Sequence, residues 1–423
     1  MHEPLSTLIP FQDCGDPMPV ACIPRCCTIF FDVRASGGLC FLKITLDLGP
    51  GSGWNSCLQK RIIECLIMLD HLILSMVPIL EAEITPILKT REIMKLARLA
   101  EEVGLDRLGI SDVIFYPDTY EIQALCALVT ERLKIGSLVT NPYTRHPAVI
   151  AAAASTLDEI SDGRAFVGIG AGAGIAELGV IRSPPESTLR EAVQIIRELM
   201  TGKIVNYLGK IYQLPYNHAR LEVPPKHNVP ILIGTRSPRI AKLAGELADI
   251  IVIGARYSSE QQLTNYLRWI SEGATRAGRD VDNIEIAPRL TICASSDGEL
   301  AKQSVKLYAA HYLSLLRPPD MVIDEAKLLK IVDAVKKVKG WYFSPNVQYP
   351  KEIDKLVDEE IVDKFAVAGT PDECIAKIRN IISRYRFRSV SLNVAAVRRG
   401  TIFDGMSETV KSLGDIIQGL KRT

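Results

Sequence analysis

Residues 134–174 read KIGSLVTNPYTRHPAVIAAAASTLDEISDGRAFVGIGAGAG, and this stretch constrains the fold more than any other part of the chain. Residues 135–139 form a short apolar run that stops at a polar cluster, Thr140-Asn141-Pro142-Tyr143. The alanine-rich run 147–157 contains no breaker and suits a helix by propensity. Asp162-Gly163 closes that helix, and residues 164–169 supply a second buried strand. Two such strands joined by a crossover helix make a βαβ unit. The second strand runs into Gly168, Gly170, Gly172 and Gly174, where backbone can approach an anion with no Cβ in the way.

The same alternation extends from Glu81 to the C-terminus. A first strand at 81–86 is followed by Ile93, Leu96, Ala100 and Val103 at helical spacing, with Gly104 as the stop. Residues 107–111 form a second strand closing on Asp112, and 120–133 a second helix. An insertion precedes a helix with Leu189, Ala192, Ile195, Ile196 and Leu199 on one face. Residues 203–226 read as a polar connector. Strands five to seven fall at 230–234, 249–254 and 284–294, and Pro288 predicts a bend or bulge in the last. Helical stretches at 301–316 and 328–338 flank a weakly patterned region that reaches Val362. Thr370-Pro371-Asp372-Glu373 is a helix start with a capping box. An eighth strand at 389–394 and an apolar stripe through Met406, Val410, Leu413, Ile417 and Leu420 complete the pattern. Eight strands, each followed by helix, predict an α/β fold of the (β/α)8 TIM-barrel type with insertions rather than a doubly wound sheet.

The seven-residue string at 168–174 is GxGxGxG, not the GxGxxG of a dinucleotide fold. A formal net charge of +1 supplies no field for steering nucleic acid or anionic membrane. Residues 62–80 are apolar, but Glu64, Asp70 and His71 interrupt them, which argues against a membrane span. Of ten cysteines, seven lie in the first 65 residues (Cys14, Cys22, Cys26, Cys27, Cys40, Cys57 and Cys65), so the main body does not read as a disulfide scaffold. That early cluster lacks a second CxxC pair, and no metal spacing or Ser-His-Asp arrangement emerges anywhere.

The string Val139-Thr140-Asn141-Pro142-Tyr143, with Arg145, Pro147, Ser155-Thr156-Leu157-Asp158-Glu159, Gly163-Arg164 and Gly168-Ile169-Gly170, resembles the bacterial luciferase-like superfamily. Within it the pattern is similar to the methylenetetrahydromethanopterin reductases, which use the deazaflavin coenzyme F420. The resemblance runs from about Glu81 to the end. It implies a luciferase-like barrel, a cytoplasmic oxidoreductase passing hydride between coenzyme F420 and a small-molecule carbon substrate, and a homo-oligomer, dimer or tetramer. The rival readings are an FMN-dependent monooxygenase of the same superfamily and a barrel that binds without catalysing.

The resemblance also assigns residues. Glu83 is the catalytic candidate, donating a proton or orienting a pterin; its other reading is a surface carboxylate beside Glu81. Cofactor contacts fall to Asp112, Leu138, Val139, Thr140, Asn141, Gly168, Gly170, Gly172, Gly234, Thr235, Arg236 and Ser237. Of these, Leu138-Val139 stands where the family has a bulge with a non-prolyl cis peptide, although the reductases usually carry glycine at the position of Leu138. Arg236 and Ser237 open a helix and suit an anionic tail. Thr140, Asn141 and Asp112 could equally build turns or caps, and His146 reads as a helix-start residue.

Residues 1–75 match nothing in the family and show no clear period, while residues 76–423 carry the barrel pattern. Met76 would put the first barrel strand a few residues from the start, so the preceding segment reads either as an addition to the barrel or as no part of the natural product, and the second is favoured. A chain beginning at Met76 is therefore expected to fold and to bind cofactor as the full chain does. Loss of soluble expression on that truncation would overturn the expectation.

Overall fold

The computed structural model describes residues 78–421 apart from 173, 255–258, 319–320, 341 and 343–346, together with three strands among the first 77 residues. Two compact units divide the chain, one holding Met1–Val77 with Lys421–Thr423 and the other Pro78–Leu420. In the first, Leu5–Phe11, Cys27–Ser36 and Leu39–Leu48 make an antiparallel sheet with the last of them central. The sequence pattern predicted no element there, because neighbours such as Phe30-Phe31 break the alternation that announces a strand.

The second unit is a closed barrel of eight parallel strands: β1 (Ile79–Ile84), β2 (Arg107–Ile110), β3 (Lys134–Ser137), β4 (Ala165–Ile169), β5 (Ile231–Thr235), β6 (Ile250–Ile253), β7 (Glu285–Ala294) and β8 (Ser389–Val394). Each pairs with the next in chain order from β1 to β7, β8 lies between β7 and β1, and the β6–β7 pairing completes the ring. All eight strands fall where the sequence placed them. The crossover helices α1 (Thr90–Glu102), α2 (Thr119–Ala127), α3 (Pro147–Ser161), α4 (Pro185–Leu199), α5 (Pro238–Leu247) and α6 (Glu260–Arg276) cover the ring. Their apolar stripes, including Ile93 and Leu96 of α1 and Ile195 and Ile196 of α4, pack with the outward strand residues into the main core.

After β7 the chain inserts α7 (Gly298–Ser304), α8 (Lys306–Leu316), α9 (Glu325–Lys336), α10 (Glu352–Leu356) and α11 (Glu359–Phe365). These helices build a separate apolar cluster, with Tyr308, Leu313, Ile331, Val362 and Phe365 packed against Cys293, Ala395 and Val397 at the ends of β7 and β8. The strand Val367–Gly369 then pairs with the top of β7 before α12 (Pro371–Tyr385), and α13 (Ile402–Lys421) follows β8.

Several local expectations are corrected. Helix α2 ends at Ala127 rather than continuing to 133. Beyond it Arg164 donates to the carbonyls of Ala127, Thr130 and Leu133, and the Glu101 carboxylate accepts from the amides of Glu131, Arg132 and Leu133. Side chains thus satisfy backbone groups that further helical turns would otherwise have paired. The connector at 203–226 contains a hairpin, Val205–Leu208 with Gln213–Ala219, fastened where Glu191 accepts from the amides of Lys210, Ile211 and Tyr212. The expected helix at 301–316 is two, divided at Val305, where Ser304 donates to the Leu300 carbonyl and accepts from the amide of Arg398. Pro288 introduces no break: it is the last residue in register with β6, so its missing N–H ends that ladder instead of interrupting it.

Among the described residues no helix is long and apolar enough to cross a membrane. Cys126, Cys293 and Cys374 are buried free thiols, and burial pushes each up to about 12, which leaves them inert as nucleophiles.

The capping box of α12 forms as the sequence predicts: Thr370 Oγ1 accepts from the amide of Glu373, and the Glu373 carboxylate accepts from the amide of Thr370. That backbone bond, with Lys302 beside it, holds the Glu373 carboxyl down at about 2. A carboxyl lowered on folding stabilises above its ordinary 4.5 and loses that contribution as pH falls toward about 2. Thr370→Ala should cost about 1 kcal/mol in denaturant unfolding at neutral pH, and Glu373→Gln should flatten the acid limb of stability between those two values. An unchanged acid limb would remove the box from the stability argument.

Candidate active site

The interior of the ring is split into a charged side and an apolar side. On β1, Glu81 and Glu83 both point inward and both are buried. Glu81 lies 3.1 Å from Nε of Arg107 on β2, and Arg107 also bonds Glu285 on β7. Burial pushes the Glu81 carboxyl above its usual range, with Arg107 opposing. Two residues nearer the C-terminal mouth, Glu83 takes both Nε and Nη2 of Arg289 from β7, and Ser111 Oγ donates to it at 2.8 Å. Burial works to lower Arg289, yet Glu83 carries the balance upward. Thr291 on β7 and Asn393 on β8 complete this side. Opposite them, Leu138, Phe166, Leu232, Ile250, Val252 and Ala287 form a dry cluster, with Val139 packed on it.

The peptide between Leu138 and Val139 is cis, as the resemblance implied, even with leucine in place of glycine. Space for that leucine comes from the neighbouring strand: a Cβ at Gly109 would lie 2.4 Å from Leu138 Cβ. The half-buried Val139 then sits between Gly170 and Gly234, where added Cβ atoms would meet its methyls at 2.7 and 2.8 Å. A Cβ at Gly168 would lie 2.0 Å from the carbonyl oxygen of Ser137. These three glycines were expected to bring backbone to a cofactor; close packing is an independent reason for glycine at each. Gly172 takes φ +68°, the left-handed region, against Ile175 and Asn141.

Thr140 is buried and its hydroxyl is engaged within the chain, donating to Asp112 at 2.8 Å and meeting the Tyr120 hydroxyl at 2.8 Å. Arg145 lies 3.8 Å over the Tyr120 ring and bonds Asp118 at 3.0 Å. Burial pushes Asp112 upward, while Thr140 and Arg145 oppose the shift. The carbonyl oxygen of the Asn141 side chain accepts from the amides of Tyr143 and Thr144, which is the turn-building role weighed against cofactor contact. His146 caps α3 by accepting from the amide of Ala148.

At the end of β5, the Thr235 hydroxyl accepts from the amide of Ser237 at 3.0 Å, and Ser237 opens α5 without capping it by its own side chain. Arg236 is exposed beside that helix start and pairs with no carboxylate among the described residues. An uncommitted guanidinium next to first-turn amides suits an anion. Four residues with site geometry escaped the sequence reading: Ser111, Tyr120, Arg289 and Asn393. Arg289 did leave a signal, one of only two charges, with Glu285, in the mostly apolar run IEIAPRLTICA, whereas the other three are ordinary residues that only the ring assembles.

A closed barrel of parallel strands with a cis peptide at the end of its third strand has the features that the resemblance to a luciferase-like barrel implied. The chain belongs to the luciferase-like monooxygenase family, whose pattern it matches over residues 75–385. It is 32% identical over 301 residues, 71% of this chain and 88% of the relative, to a 5,10-methylenetetrahydromethanopterin reductase of Archaeoglobus fulgidus. It is 29% identical over 310 residues, 69% of this chain and 85% of the relative, to an F420-dependent glucose-6-phosphate dehydrogenase of Mycolicibacterium fortuitum. The structure of the coenzyme F420 dependent tetrahydromethanopterin reductase from Methanopyrus kandleri superposes with a TM-score of 0.68 at 25% identity, covering 80% of this chain and 97% of that one.

Gly168→Ala separates the two accounts of the glycines. Its Cβ would press on backbone, so unfolding free energy should drop by about 1–3 kcal/mol without any ligand present. Unchanged stability would return Gly168 to the role read from the sequence.

Proposed function

We propose that this chain uses coenzyme F420 to reduce the methylene bridge of a tetrahydropterin, as a 5,10-methylenetetrahydromethanopterin reductase. The observation that carries the reading is the mouth itself: half-buried Val139, wedged between Gly170 and Gly234, offers an apolar support for a flat ring, and Arg236 stands ready for an anion. Those residues fit a deazaflavin with a negatively charged tail, and likeness to the reductases along most of the chain supports the same choice. Val139, Gly234 and Thr235 would hold the ring region, and Arg236 with the α5 amides the tail. When bound, the reduced coenzyme supplies a hydride.

The chain's own contribution is placement and charge. Both oxygens of Glu83 accept from Arg289, an arrangement that the carboxylate makes and a protonated acid does not make on both sides. Of the two roles the sequence suggested for Glu83, orienting the pterin therefore fits better than donating a proton. Negative charge at this point also favours positive character on the pterin amine as hydride is accepted. The apolar side of the ring keeps water from the reacting face.

Titration with coenzyme F420 and with FMN, followed by turnover with methylene-tetrahydropterin, tests the reading. Tight FMN binding with oxygen-dependent turnover would replace it by a monooxygenase, and binding of neither by a non-catalytic barrel. Glu83→Gln keeps the shape but removes the charge, so kcat should fall about 10²-fold while affinity for coenzyme F420 changes little. Near-wild-type turnover would take Glu83 out of the chemistry.

A further inference from the structure

In the layer of Glu83, on the charged side of the ring, two polar atoms have no hydrogen-bond partner among the described residues. Arg289 engages Glu83 through Nε and Nη2, and its buried Nη1 bonds nothing among the described residues. The amide of Asn393 donates through Nδ2 to Thr291 Oγ1 at 3.3 Å, and its buried Oδ1 is unpartnered. Turning the amide over moves the vacancy to nitrogen without removing it. Asn393 is in register with Glu83 on β1 and with Thr291 on β7, so both unpartnered atoms belong to residues that surround one carboxylate. Buried donors and acceptors left unmade are costly, and a folded chain keeps such groups where something else satisfies them.

Near Arg289 stands an aromatic group. Tyr308 and Tyr312 of α8 have ring centroids 4.7 Å apart, and Tyr342 meets them at 5.6 and 5.7 Å. The hydroxyls of Tyr312 and Tyr342 are 2.7 Å apart. Tyr308 and Tyr342 stand near enough to Arg289 to bear on its charge. A donor and an acceptor around one carboxylate, with aromatic rings near the guanidinium, match a flat heterocycle whose edge carries a carbonyl beside an N–H.

We propose that Arg289 Nη1 and Asn393 Oδ1 read the lactam edge of the pterin, the guanidinium donating to its carbonyl oxygen and the amide oxygen accepting from the adjacent N–H. The inference rests on the pterin reading above and names the atoms of this chain that select that ring. Both atoms are closed from solvent in this structure, so a ligand that reaches them displaces the side chains that now cover them. The two residues determine specificity; they do not touch the reacting carbon in this account.

Thr291→Val combined with Asn393→Leu removes amide and hydroxyl together and orphans no partner, so its Tm should equal or exceed that of the wild type. With that double variant the KM for methylene-tetrahydropterin should rise about tenfold or more, while kcat and the Kd for coenzyme F420 stay within about twofold. Asn393→Ser, a smaller change, should raise KM in the same direction. A pterin methylated at the lactam nitrogen should lose affinity on the wild type and little further on the double variant. Equal KM for wild type and both variants would overturn the inference and leave the pterin reading standing. A fall in Tm and in coenzyme affinity together with KM would show a structural role and overturn it as well. A wild-type protein that neither binds nor reduces the pterin would overturn the function reading, and this inference with it.

Discussion

Charge sealed inside the barrel is the constraint on which the rest depends. Glu81, Arg107 and Glu285 meet across β1, β2 and β7, and one layer up Glu83 meets Arg289 across β1 and β7. Breaking a buried pair by removing one member typically costs about 3–5 kcal/mol, because the survivor is left uncompensated. None of these groups is satisfied from its own strand, and although Glu81 meets Arg107 across adjacent β1 and β2, Glu285 and Arg289 reach their partners only once the ring closes with β8 between β7 and β1. The charged half thus adds pairings to the constraint on register that burial of the inward faces already imposes.

That division of the interior also divides the chemistry. The side built from β3, β4, β5 and β6 offers smooth apolar surface and, at its rim, Arg236; the side built from β1, β7 and β8 offers directed polar groups. A hydride transfer needs both a dry surface against which two rings can stack and fixed charges beside the accepting carbon. One ring of strands supplies the two environments a few residues apart.

Much of this was legible in the sequence because it is local. Each strand is a short apolar run, each crossover helix has a stripe or a stop signal, and Thr370 with Glu373 announces α12 without any tertiary help. The cis bulge at Leu138-Val139 was legible only through resemblance, since nothing in those two residues requires it. What escaped was whatever depends on a partner far along the chain. Arg289 reaches Glu83 over 206 residues, and the purpose of Gly109 is evident only once Leu138 lies against it. The early end of α2 was missed for the same reason, because Glu101 and Arg164 take over the backbone groups of the following loop. The glycines at 168, 170 and 234 show the converse: a pattern that suggested a ligand also answers to the packing of neighbouring chain, which no local reading reveals.

The insertion after β7 keeps its own apolar cluster, separate from the main core and from the dry cluster inside the ring. It rests on the upper ends of β7 and β8 and contributes no strand to the ring itself. Substitutions that repack α8 to α11 can therefore accumulate without loosening the barrel, since the two cores share few side chains through which strain would pass. Lineages of such a protein are free to retailor the aromatic ceiling over the mouth while inheriting the floor unchanged, which lets one scaffold change what it accepts without relearning how to fold.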